Sequence, residues 1–162
     1  MKKLAVISFI FVLVFNAYSQ KTVYDFELPD LQNRYTAFSE LKGEQLTIID
    51  FWASWCKPCV NSIPELASIY NDFSEKGVEV IGINIDGPRN QSKVKPMGIT
   101  YGINYPVLLD PDMDILTGMG FNSIPALVIS DAENNILYTH QGFKKGDEII
   151  LRQKIEKFLA NE

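Results

Sequence analysis

The sequence is poor in the residues that staple folds and hold metals. Its 162 residues include two cysteines and one histidine, His140. A closed zinc shell takes four ligands, so no metal is expected. The cysteines, Cys56 and Cys59, are three positions apart. A bridge across so short a ring contributes only ~2 kcal/mol, against about 4.7 for a hundred-residue loop. That leaves redox chemistry as the leading reading of the pair, ahead of a structural bridge or a metal site. Positive charge is also short, with 15 Lys and Arg against 20 Asp and Glu. An acidic surface argues against nucleic acid and against anionic lipid as partners. Internal repeats and low-complexity segments are missing as well.

A long apolar run is the next absence. Lys2-Lys3 precede twelve apolar-leaning residues, Leu4 to Phe15, followed by Asn16-Ala17-Tyr18-Ser19. As a helix, twelve residues reach about 18 Å, short of the ~30 Å hydrocarbon core. The charged start and the small residues Ala17 and Ser19 predict a signal peptide over 1–19, cut before Gln20. An uncleaved anchor is the alternative. Lys2 and Lys3 are the leader's only charges, so the remainder carries 13 basic and 20 acidic side chains, a net charge of −7. Residues 20–162 then form one domain, and 46% hydrophobic residues suffice for its core. Export suits a reactive cysteine pair, because disulfides persist outside the cytosol.

The most informative stretch is Ile49-Asp50-Phe51-Trp52-Ala53-Ser54-Trp55-Cys56-Lys57-Pro58-Cys59. An apolar run, Leu46 to Ile49, leads into it, and Ile63, Leu66, Ala67, Tyr70 and Phe73 follow at helical spacing. This predicts a buried strand, a short loop, and a helix whose first turn carries the cysteines. The positive end of a helix favours a thiolate, the reactive form of cysteine. Pro58 costs no hydrogen bond in a first turn. Cys56, at the loop–helix junction, is expected to be the attacking sulfur, and Cys59, one turn in, to resolve the mixed disulfide.

Asp-Phe-Trp-Ala-x-Trp-Cys-x-Pro-Cys resembles the active-site signature of thioredoxins. The flanking chain is more similar to the periplasmic TlpA/ResA-like thiol–disulfide oxidoreductases, from about Tyr24 to Leu159. The resemblance implies an α/β thioredoxin fold, a central mixed sheet flanked by helices, with an N-terminal hairpin and a central insertion over 87–119. It implies a cis bond between Ile124 and Pro125, with the Ile124 backbone open to an extended substrate. A trans proline starting a strand is the plain alternative. Trp55 is expected to border the exposed sulfur as contact surface and Trp52 to pack under the loop, an ordinary core role being open for each. Asp50 matches the buried acid of cytosolic thioredoxins, whereas its lysine partner falls at Gly82. The glutamate that ResA-like proteins place three residues after the second cysteine is Ser62 here. Asp50 is therefore the candidate proton acceptor for Cys59, with a purely structural aspartate as its alternative.

The remaining chain fits this reading. Residues 21–43 predict a hairpin and a helical turn closed by Gly43. Val78 to Asp86 predicts a parallel central strand, and 88–98 and 112–119 predict weak helices. A strand at 126–129, another at 136–141 and a helix at 147–159 capped by Asp147 complete it. Glu65 is expected to be a solvated helix residue and His140 to be exposed. The expected function is reduction of disulfides in other exported proteins, recharged by a membrane electron donor, by a monomer needing no cofactor. Three rivals stand behind it. A copper-delivery protein of this fold spaces its cysteines by three residues, and a thioredoxin-fold peroxidase needs Thr-x-x-Cys. A disulfide-forming oxidase differs only in the direction of electron flow.

Overall fold

The computed structural model describes residues 21–160; the leader expected at 1–19 lies outside them. Within that range β3 (Leu46–Trp52) is buried at all seven positions. Period-two alternation sends its side chains to two cores. Leu46 and Ile48 pack with Leu66, Ile69 and Phe73 of α2 (Lys57–Phe73) and with Leu151 and Ile155 of α5 (Asp147–Leu159). Ile49 and Phe51 pack in the other cluster with Phe26, Phe38, Val94 and Leu116.

Two further central strands are β4 (Val78–Asn84) and β6 (Ala126–Asp131), and β5 (Val107–Leu109) and β7 (Ile136–Gln141) are the edges. Their order is β5-β4-β3-β6-β7. β4 runs parallel to β3 with Asp50 opposite Gly82, and β6 runs antiparallel with Asp50 opposite Leu127. The expected mixed sheet is thus present. The segment expected as an insertion supplies both α3 (Gln91–Tyr101) and the edge strand β5. Three apolar residues sufficed for a strand there because Gly82, Ile83 and Asn84 pair with them.

The N-terminal hairpin joins β1 (Glu27–Pro29) to β2 (Tyr35–Ala37). An isolated bridge from Asp30 to Leu108 ties it to β5 and so covers part of an exposed edge. Phe38, which opens α1 (Phe38–Leu41), stacks on Phe26 at 5.3 Å. The short α4 (Asp114–Gly118) takes its N-terminal bonds from Asp110, which accepts from Asp114, Ile115 and Leu116 N–H. Asp112, expected to start it, is not the cap. Among the described residues no helix is long and apolar enough to cross a membrane.

Gly43 does not close α1, which ends at Lys42. Its reason for being glycine is close approach. A Cβ there would press on the Leu46 carbonyl oxygen and stand 2.7 Å from Gly77 O and 2.8 Å from Glu79 N. All three are backbone atoms where β3 and β4 begin, so none can swing aside. Gly43→Ala should therefore cost about 1–3 kcal/mol, read as a lower urea midpoint with unchanged slope. A midpoint equal to wild type would show that this corner can relax.

Candidate active site

Cys56 and Cys59 form a disulfide, with sulfurs 2.03 Å apart. Cys56 is the N-cap of α2, and its Sγ accepts the Cys59 N–H at 3.3 Å. The sulfur thus sits among the unpaired N–H groups at the positive end of a 17-residue helix. Once the bridge is reduced, that position favours a thiolate at Cys56. Exposure separates the two sulfurs: Cys56 is 6% exposed and Cys59 0%. Cys56 is thus the sulfur more open to solvent. Trp55, beside it, is 61% exposed, while Trp52 is fully buried beneath the loop.

The loop between β3 and α2 is anchored by residues that sequence reasoning did not single out. Asp86 is buried and accepts from the Ser54 N–H at 2.7 Å and the Ser54 hydroxyl at 2.9 Å. Asn84 donates to the same carboxylate at 2.9 Å and accepts the Asp86 N–H at 3.0 Å. Two hydrogen bonds hold Ser54 two residues before Cys56, and the carboxylate that accepts them, itself held by Asn84, makes them stronger than neutral ones. The available signal was two polar side chains, Asn84 and Asp86, at the end of an otherwise apolar strand.

The Ile124–Pro125 bond is cis. The last antiparallel pair of β3 and β6 is Phe51 with Ala126. Pro125 therefore sits at the end of β3 from which the Ser54–Cys56 loop leaves. Ile124 lies outside the ladder.

Asp50 stands in the middle of β3, 2% exposed. Its Oδ2 has no hydrogen-bond partner among the described residues. Burial in this apolar setting pushes its carboxyl up to about 7. The position at which a lysine would face it is Gly82, and a Cβ there would stand 3.2 Å from both Trp52 Nε1 and the Tyr105 ring. Tyr105 is itself buried, and its phenol is held well above the ordinary tyrosine range by desolvation and by the Asp50 charge. Aromatic rings fill the space that a charged partner would need. Ser62 donates to the Cys59 carbonyl at 2.8 Å and carries no acid.

Three expectations about the surroundings need correction. His140 is only 33% exposed at its side chain, and its Nε2 is 3.1 Å from Asp147 Oδ2. Asp147 does not cap α5; Gly146 is the N-cap, and Asp147 accepts from the Lys144 N–H at 2.9 Å while facing His140. Glu65 is half-buried, not solvated, and lines a cavity with Asp50, Ser62 and His140. Packing of α5 against β7 produces these contacts, and no local pattern announces it. Among the described residues, no group of three or more His, Cys, Asp or Glu is placed to hold a metal.

The raised Asp50 carboxyl links stability to pH. In the unfolded chain an aspartate ionises near 3.8, in the folded chain this one near 7. Between those values the unfolded state has released a proton that the folded state keeps. Stability is full below the lower value and falls as pH rises through the higher one. Asp50→Asn cannot ionise, so its stability relative to wild type should climb by about 2–3 kcal/mol from pH 5 to pH 8. Urea titrations of the oxidised proteins at the two pH values measure this. A difference independent of pH would mean that Asp50 ionises in its ordinary range.

Comparison with known proteins agrees with this geometry. A profile of the AhpC/TSA family matches residues 20–139. The thiol-disulfide oxidoreductase ResA of Bacillus subtilis is 30% identical over 115 residues, covering 70% of this chain and 62% of that protein. ResA of Halalkalibacterium halodurans is 25% identical over 135 residues, 83% of this chain and 72% of that one. Among solved structures, one assigned as the thiol:disulfide interchange protein DsbE of Chlorobium tepidum superposes with a TM-score of 0.79 at 26% identity. It covers 86% of this chain and 96% of its own. The match extends over most of the chain and includes both cysteines and Pro125: the chain belongs to the AhpC/TSA family of thioredoxin-fold proteins.

Proposed function

We propose that this chain is an exported reductant of disulfides in other exported proteins. Its activity class is thiol–disulfide oxidoreductase. The observation that carries the reading is the Cys56–Cys59 bridge at the N-terminus of α2, with Cys56 as the helix cap and the more exposed sulfur. In the reduced protein the Cys56 thiolate attacks a substrate disulfide, one substrate sulfur leaves as a thiolate that water protonates, and a mixed disulfide remains. Cys59 then gives its proton to the Asp50 carboxylate and attacks Cys56. The Cys56–Cys59 bond re-forms, and the second substrate sulfur leaves as a thiolate that water protonates. The pair is oxidised by two electrons and the substrate disulfide is reduced by two.

Trp55 and the open backbone at Ile124, next to cis-Pro125, form the surface on which an extended substrate segment pairs. Each turnover leaves the pair oxidised, so a dithiol donor at the membrane must recharge it. The protein works as a monomer, and the two sulfurs need neither cofactor nor metal. The ResA relatives, by their name as thiol-disulfide oxidoreductases, support the activity class, and the expected leader supports export.

Two measurements test this. Equilibration with glutathione should give a reduction potential nearer to thioredoxin's, about −270 mV, than to that of the oxidant DsbA, about −120 mV. A value near the latter would make the chain an oxidase. In cells, Cys59→Ser should accumulate mixed disulfides with exported proteins while Cys56→Ser should not, since only the outer sulfur meets substrate. Equal trapping by both variants would reverse or dissolve the assigned roles.

A further inference from the structure

A cavity of about 30 Å³ runs between α2, β6, β7 and α5. Asp50 and Ser62, each almost fully buried, form its inner end. Glu65 of α2, His140 of β7 and Glu148 of α5 lie towards its mouth with half-exposed side chains, and Asp147 of α5, itself buried, lines it beside His140. Leu66, Leu127 and Leu151 wall it between. That volume exceeds the roughly 10–15 Å³ that one water needs, and polar groups stand at both ends to bind it. Asp50 Oδ2 has no protein partner among the described residues, so water in this cavity is its available contact.

A proton that Asp50 takes from Cys59 must leave before the next cycle, and Asp50 itself is sealed from solvent. We propose that His140, oriented by Asp147, is the solvent-side proton exchanger for Asp50, reached through water held in this cavity. This rests on the reading that Asp50 moves the Cys59 proton. In the step, protonated Asp50 releases a proton to cavity water, the imidazole accepts one from that water, and it passes one to bulk solvent. Asp50 returns to a carboxylate and His140 to a neutral ring. No electrons move, and no bond other than those to protons changes.

The groups around His140 suit that task. Its Nε2 is 3.1 Å from Asp147 Oδ2, and its Nδ1 is 3.4 Å from the Tyr138 hydroxyl, whose ring stacks on it at 6.2 Å. Desolvation raises the Asp147 carboxyl, yet bonds from the Lys144 N–H and His140 outweigh it and leave it below the ordinary range. Asp147 is thus an anion when His140 takes a proton, and stabilises the imidazolium. Glu65 faces the cavity from α2, and Glu148 Oε2 is committed to the Gly146 N–H at 2.8 Å. Imidazole, unlike these carboxylates, both gives and takes protons readily near neutral pH. One third of the His140 side chain meets solvent, which completes the route. His140 acts through Asp50 and is a positioning residue for the proton, not a group that touches substrate.

The test is multiple-turnover reduction of a small peptide disulfide by the full chain, recharged by excess dithiol, from pH 6 to 9, with imidazole buffer varied at constant ionic strength. At low buffer, His140→Gln should slow exchange by about 10-fold or more and alter the pH–rate profile. Added imidazole should restore the rate, while Asp50→Asn should be slow and indifferent to imidazole. If Asp50→Asn keeps the wild-type profile, the Asp50 reading itself fails. If Asp50→Asn is slow but His140→Gln behaves as wild type at every buffer concentration, only the present inference fails. A slow His140→Gln that imidazole does not rescue marks a structural histidine and overturns it. So does an imidazole-rescued loss in Glu65→Gln with none in His140→Gln.

Discussion

A carboxyl group with no partner at Oδ2 among the described residues, buried in the middle of the central strand, is the constraint around which this molecule is arranged. An ionised carboxylate in such a place costs several kcal/mol unless it is paired or neutralised. Pairing is closed off by packing. Opposite Asp50 the parallel neighbour is Gly82, and the volume beyond it belongs to Trp52 and Tyr105. The group therefore resolves the conflict by holding its proton to about pH 7. A neutral-range acid beside the base of the active-site helix is what thiol chemistry can use, since a buried thiol must lose a proton before it can attack.

The rest of the site divides labour along α2. Its positive end and the Asp86–Ser54 anchor fix the more exposed sulfur at the loop. One turn further in, Cys59 is fully buried, and Ser62 occupies the neighbouring turn without adding an acid. Chemistry that depends on access is thus kept at the loop, and chemistry that depends on desolvation is kept under it. The cis-Pro125 segment closes the same end of the sheet because β6 runs antiparallel to β3 and enters there.

Most of the frame was legible in the sequence, for a local reason. Largely apolar runs at 46–49 and 78–86, alternation at 136–141 and the helical period after Cys59 each reflect burial decided by neighbours a few residues away. Helix α5 and strand β7 fall at the residues the pattern predicts. The two cysteines, Asp50 and Ile124-Pro125 were legible through one ten-residue signature and one dipeptide. Illegible were the pairings made across long stretches of chain. Asp86 meets Ser54 across 32 positions, and Tyr105 reaches the Asp50 pocket from the loop before β5. His140 and Asp147 are only seven apart, yet whether they meet depends on how α5 docks against β7. Asp147 at a helix start reads as a cap, and only the docked structure shows its carboxylate turned to a histidine. Gly43 failed differently, because a glycine near a helix end has two physical uses and the sequence does not distinguish a cap from a close approach.

The account stands on the proton that Asp50 holds, and that proton can be observed directly. Selective ¹³C labelling of aspartate, with the Asp50 signal assigned by its loss in Asp50→Asn, allows the carboxyl shift of the oxidised protein to be followed from pH 3 to pH 9. The account predicts a midpoint close to 7 for this one carboxyl. A midpoint near the ordinary 3.8 would show that Asp50 is solvated or paired in solution, and the acid at the centre of the mechanism would be lost.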